Sequence, residues 1–576
     1  MNKGLRYILL LLPLVLLSCG GSQKAVSTTG KVTVPVPVNP QVRAIFLDAS
    51  KEKVLGNFAD AEKLFRIVIE KEPANAAAHY ELSRMLRRNN KESDAIALAQ
   101  KAVALDAGNV WYKLYLAELY EDNGMPGKAI SILEELVKQH PDNEEYREML
   151  AGGYIMSGRN ADAIRQLDEM EKRLGINEEI ILQKRQLYLQ EGKYDKAFSE
   201  MEKLAGYAPR ETRYLLMLAE MHMEKGNKEA ALALYRKVQD IDPGDPYINM
   251  SLADYYRKAG DNDASFRELK LGIANPRLDI DTKIQVLLSF YAVGEVYNEM
   301  RVQGIELTEI LVTTHPDNPK AHSIRADFLS RDQQYAGARE SLIKVVALDS
   351  SKYVIWEQLL RIELVLKEFT AMSDHARTAA EMFPSMPLLY LFRGVADYNL
   401  KNFSEAVKSF ELGLKLVVAD PDLKTDFHTY IGDTYQELGD FPNSVKNYQK
   451  ALSLEPDNVY VLNNYAYFIS LRKEDLERAA EMARRANELE PGNASYLDTY
   501  AWVLYTKGDF ANAKIWMEKA LQSGGSENDV ILEHYGDILF RLKDNSGAME
   551  YWRKASEKGK GSSFLQKKLS DGVLYE

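Results

Sequence analysis

The chain has 576 residues, 46% of them hydrophobic and 27% charged, with a formal net charge of −12 at pH 7. That acidic balance gives it no broad electrostatic attraction to nucleic acid or to anionic lipid headgroups. Cys19 is the single cysteine, so no intramolecular disulfide can form.

Residues 1–18 read as a secretion signal: Lys3 and Arg6 precede an apolar run from Tyr7 to Leu17 that is too short to span a bilayer as a helix. The sequence Leu16-Leu17-Ser18-Cys19-Gly20 resembles the lipobox of bacterial lipoproteins. That resemblance implies cleavage before Cys19 and lipidation of its new N-terminus; an ordinary signal peptide is the competing reading. Residues 19–41 read as a tether, with a flexible Gly/Ser part and a Val-Pro part extended at about 3.1 Å per residue. No later apolar run is long enough to cross a membrane, so the lipid is the expected anchor. The residues after Cys19 lack the acidic run that resembles a surface-export signal, and the expected location is the bacterial outer membrane, facing the periplasm.

Beyond residue 41 a period takes over. Asn75, Asn109, Asn143 and Asn177 are spaced by about 34 residues, and turns such as EPAN (ending at Asn75), HPDN (Asn143 and Asn318), EPDN (Asn458) and EPGN (Asn493) close one segment and open the next. Within Val110 to Asn143, Leu116, Ala117 and Tyr120 share one helix face, and Gly124 ends that helix because the left-handed conformation costs glycine little. Ala129, Leu133 and Leu136 mark a second helix, Pro141 stops it, and Asn143 is placed to cap its successor. Ala61, Ala95, Ala129, Ala163, Ala197 and Ala231 keep the same phase, which predicts close helix contact at each.

In this order the small, aromatic, Gly, Ala and Pro positions resemble the tetratricopeptide repeat. The clearest copy runs from Thr425 to Asn458, with Ile431-Gly432, Tyr435, Gly439, Phe441, Tyr448, Ala451 and Pro456 at the family positions and Ser444 where the family prefers Ala. The resemblance implies an all-α fold, an α-solenoid superhelix of about fifteen helical hairpins between residues 41 and 558, closed by a capping helix from Ser562 to Leu569. The expected organisation is an N-terminal array at 42–279, an irregular middle array at 280–386, a C-terminal array at 387–561, and the cap and tail at 562–576. The phase slips near 292–305 and 417–424, where the surplus residues read as loops or as hinges that change the solenoid's direction.

Catalytic signatures are lacking: there is no HExxH, GxSxG, Walker loop or CxxC pair, and no cofactor or metal is implied. His140 and His315 hold the same repeat position before Pro and are expected to serve the turn. In the family the first helix of each hairpin lines a concave groove. Carried over, this gives Asn463, Asn464 and Tyr467 from one repeat, Asp498, Trp502 and Tyr505 from the next, and Glu533, Asp537 and Phe540 from the last, as exposed aromatic, amide and carboxylate groups. The competing reading puts Trp502 and Tyr505 in the inter-repeat core. A second candidate surface is the basic stripe Arg84, Arg87, Arg88 and Lys91, whose alternative is a solvated helix face. The Lys and Asn pairs with which some family members grip a C-terminal carboxylate are not matched. The expected function is a non-enzymatic, membrane-anchored scaffold for protein–protein interaction in a bacterial envelope assembly or secretion complex, binding a protein partner in the groove. The alternative is a carbohydrate-binding accessory lipoprotein of exopolysaccharide export, with polysaccharide as the ligand.

Overall fold

The computed structural model describes residues 39–293 and 298–575. The signal, Cys19 and nearly all of the tether lie outside the described residues. Among those described there is no strand; thirty α-helices pair in chain order into fifteen hairpins, from Pro40–Val54 with Phe58–Lys71 to Asp529–Arg541 with Asn545–Lys558, and the short helix Leu565–Asp571 follows. Contacts divide the chain into two compact units, Met1–Leu218 and Ala219–Glu576, each an α-solenoid stack of such hairpins. The boundaries expected near 280 and 387 both fall inside the second unit.

The repeat period is physical. Asn75 Oδ1 accepts from the Ala78 N–H at 3.0 Å, Asn143 from Tyr146 at 3.2 Å and Asn458 from Val461 at 3.0 Å, each satisfying an amide that the first helical turn leaves without a partner. Gly124 adopts φ +68° just past its helix, as expected, and Lys401, Lys473 and Lys543 take the same left-handed conformation in later hairpins at a steric cost glycine avoids. All six in-phase alanines, Ala61 to Ala231, have 0% exposure. Farther along, Gly432 and Gly536 let the second helix bring an aromatic ring onto the first: a Cβ on Gly432 would lie 2.8 Å from the Tyr448 ring, and one on Gly536 2.5 Å from Trp552.

A second periodic device uses polar groups. His79, Arg147, His322, Trp356 and Tyr390 each reach back six residues to a carbonyl of the preceding turn, at 2.8 to 3.1 Å. These side chains tie their five first helices to the preceding turns and give those carbonyls a partner. His140 packs edge-on against Tyr146. His315 places Nε2 2.7 Å from the ammonium of Lys283, a fully buried lysine that also donates to the Asn275 carbonyl at 2.6 Å.

The phase slips resolve differently from the loop reading. Asn298–Thr314 and Pro421–Glu437 are each seventeen residues long, against thirteen for Pro387–Asn399 and fourteen for Phe403–Leu416. Much of the surplus therefore extends helices; residues 294–297 lie outside the description. The final helix is Leu565–Asp571, shorter and later than the expected Ser562–Leu569, because Ser562 is held by Glu533 before the helix begins. No described helix is long and apolar enough to cross a membrane.

Candidate partner-binding groove

Three first helices, Val459–Leu471, Ala494–Thr506 and Asp529–Arg541, are started by the caps Asn458, Asn493 and Asn528, so the repeat register decides which side chains meet. With the segment from Gly561 to Tyr575 they enclose a groove of about 670 Å³. Tyr467, Trp502, Tyr505, Glu533 and Asp537 line it, as do His534, Lys568, Phe510 and Phe564, which the sequence reading did not include.

The aromatic wall is stacked. Trp502 lies on the His534 ring with centroids 3.9 Å apart and on Tyr505 at 4.7 Å, both nearly parallel. Trp502 and Tyr467 are half-buried, each with a face toward the groove. Tyr505 is a correction to the expected exposed anchor: it is 5% exposed and belongs to the core of the last hairpins, because its ring must fill the space between Trp502 and Phe510.

The carboxylates and amides are also buried rather than presented to solvent. Asp537 is 2% and Glu533 3% exposed, and both receive Lys568 Nζ: 2.8 Å to Glu533 Oε1, and 2.8 and 2.7 Å to the two oxygens of Asp537. Ser562 donates its amide and hydroxyl to Glu533. Burial pushes the Asp537 carboxyl up to about 6, Lys568 notwithstanding. Burial acts the same way on Glu533, but Lys568 and Ser562 outweigh it and hold that carboxyl below its ordinary range. Asp498 is buried and accepts from His534 Nδ1–H at 2.9 Å. Burial alone would lower the His534 pKa; the Asp498 carboxylate outweighs it and holds the ring above its ordinary range. Asn463 is 8% exposed and bonds Asn464, and Phe540 stacks on Trp552 at 5.8 Å; neither they nor Asn464 line the groove.

The Lys568 contact continues the repeat. Asp433 and Asp537 each accept a bond from the aromatic residue fifteen positions later, Tyr448 at 2.5 Å and Trp552 at 2.8 Å. Tyr460, from the next hairpin, completes Asp433 at 3.0 Å, whereas at the end of the array the short helix supplies Lys568. The final helix thus stands in for the next repeat.

The basic stripe is not a free surface. Arg87 pairs with Glu118 at 2.9 Å and Asp122 at 2.5 Å one repeat on, Arg84 lies 3.7 Å from Glu81, and Arg88 packs over the Phe58 ring at 3.8 Å. Lys91 is exposed at the start of Glu92–Leu105.

Three tetratricopeptide repeat family models match the chain, one at residues 53–110 and 184–246, one at 86–153 and one at 432–468. The chain therefore carries tetratricopeptide repeats. No curated protein matches it. Among solved structures, it is similar to the Cut9–Hcn1 hetero-tetramer of the APC/C at 11% identity, covering 87% of this chain and 96% of that one with a TM-score of 0.38. Yeast Tom70 is similar at 15% identity, with coverage of 86% and 94% and a TM-score of 0.33. A tetratricopeptide repeat protein from Parabacteroides merdae is similar at 18% identity, with coverage of 48% and 100% and a TM-score of 0.27.

Proposed function

We propose that this chain is a non-enzymatic protein-interaction scaffold whose last three hairpins capture an extended segment of a partner protein. The observation that carries this reading is the groove itself. It offers the half-buried faces of Tyr467 and Trp502, on helices capped by Asn458 and Asn493, with the exposed Phe564 ring beside them above a polar floor, and aromatic anchors of this kind dominate interface energies. Its volume suits a few side chains of a bound segment rather than a whole domain. From the sequence we also propose that Cys19 carries a lipid holding the scaffold on the periplasmic side of a bacterial outer membrane, within an envelope assembly or secretion complex.

Crosslinking in the native envelope, followed by mass spectrometry, tests the scaffold. Trp502→Ala should keep the helical content and weaken partner capture by about 2 kcal/mol or more. Unchanged capture by a folded Trp502→Ala protein contradicts the assigned groove. For the anchor, Cys19→Ser should move the protein from the membrane pellet to the soluble fraction; a mutant that still pellets after a high-salt wash contradicts lipidation. Digestion by protease added to intact cells contradicts the periplasmic facing.

A further inference from the structure

His534 lines the groove with one ring nitrogen held by this chain and the other not. Its side chain is nine-tenths buried between the Trp502 face and the Asp498 carboxylate, and it lines the groove. Nδ1–H is spent on Asp498 at 2.9 Å, and no described residue hydrogen-bonds Nε2. Three carboxylates nearby are engaged by this chain's own donors: Glu533 by Lys568 and Ser562, Asp537 by Lys568 and Trp552, Asp498 by His534 itself. Lys473 also lines the groove. The groove thus offers the Nε2 edge of His534 and the Lys473 side chain beside an aromatic wall, its carboxylates being already engaged, and a complementary segment brings an acceptor.

We propose that His534, through Nε2–H, is the donor that selects an acidic side chain next to an aromatic one in the captured segment, the aromatic ring lying against Trp502. This rests on the groove reading above. Donation requires the imidazolium, because in the neutral ring the single proton stays on Nδ1 facing Asp498 and Nε2 turns into an acceptor that repels a carboxylate. The charged groups acting on His534 are Asp498 on Ala494–Thr506 and Glu533 and Asp537 on its own helix, the latter two held by Lys568 of the last helix. Their carboxylates outnumber the lysine, which favours the charged ring.

Blocked peptides alternating Phe with Glu, with Gln or with Lys, each fluorescently labelled, are titrated with the full-length protein and followed by anisotropy. Near pH 6 the Phe–Glu peptide should bind about tenfold more tightly than Phe–Gln, as expected of a charge-assisted bond, and the advantage should vanish at alkaline pH. His534→Gln should erase both the preference and its pH dependence while retaining Phe–Gln binding. In case that variant is poorly folded, histidine ¹³C NMR on the wild type gives an independent reading: saturation with Phe–Glu should move the His534 titration to higher pH, and Phe–Gln should not. An acidic preference that is absent, or that survives in folded His534→Gln, or a titration that Phe–Glu leaves unmoved, overturns the donor role. If that happens while Trp502→Ala still abolishes Phe–Gln binding, the groove reading stands alone. If no peptide binds and envelope crosslinks are unchanged in Trp502→Ala, both fall.

Discussion

Replacing Lys568 by Met keeps the length of the buried stem and removes the charge that two buried carboxylates share. Removing one partner of a buried ion pair costs about 3–5 kcal/mol, because the other is left charged in a poor solvent. Glu533 keeps its two bonds from Ser562 and Asp537 its bond from Trp552, so the lower end, about 3 kcal/mol, is expected. The loss should depend on pH with a definite sign. Asp537 already titrates near 6, above its unfolded value of 3.8, so between those pH values the native state binds more protons and this group's contribution to stability falls as pH rises. Without Lys568 the carboxyl climbs further and the falling window extends upward, so the deficit of the mutant should be smaller at pH 5 than at pH 8. Hydrogen exchange of Asp529–Arg541 and Asn545–Lys558 reads it directly, since damage in a solenoid stays local. An equal deficit at both pH values, or no deficit, would refute the claim that Lys568 neutralises Asp537.

Ala129→Leu puts a bulky chain where exposure is 0% and should cost about 1–3 kcal/mol, with limited proteolysis nicking first around that hairpin; simultaneous loss of every probe would count against local packing. Lys283 is fully buried, and burial pushes its pKa down to about 8 from 10.5, so the unfolded state binds more protons between those values and stability from this group rises with pH across them. Lys283→Met should flatten that rise in denaturant titrations, the lost bond to the Asn275 carbonyl lowering stability about equally at every pH; a rise of the same slope in the mutant would assign it to another group.

The fold was legible because its determinants recur. Asn143, Gly124 and Ala129 each repeat a local requirement, a cap, a left-handed turn and a close contact, at a fixed interval, and the structure gives each the role its neighbours predict. The groove was less legible because its chemistry is set by partners a repeat away. Glu533 and Asp537 look like free carboxylates until Lys568, 35 and 31 residues later, is placed on them. Arg87 looks basic until Glu118 and Asp122 are counted. His534 drew no attention because Asp498 is 36 residues away. Carrying the repeat register past Lys558 into the tail was the signal that would have exposed Lys568 as the substitute for a next repeat.

The central claim is that a partner protein occupies the groove of the last hairpins, and site-specific photocrosslinking tests it most directly. A photoreactive residue replacing Val530, 41% exposed on the groove wall, should yield a discrete protein adduct in cells that disappears when Trp502→Ala is added. The same group at Ile515, 50% exposed on the second helix Phe510–Gln522 and outside the groove lining, should yield none. Adducts of equal strength at both positions, or an adduct at 530 that persists with Trp502→Ala, would contradict the account.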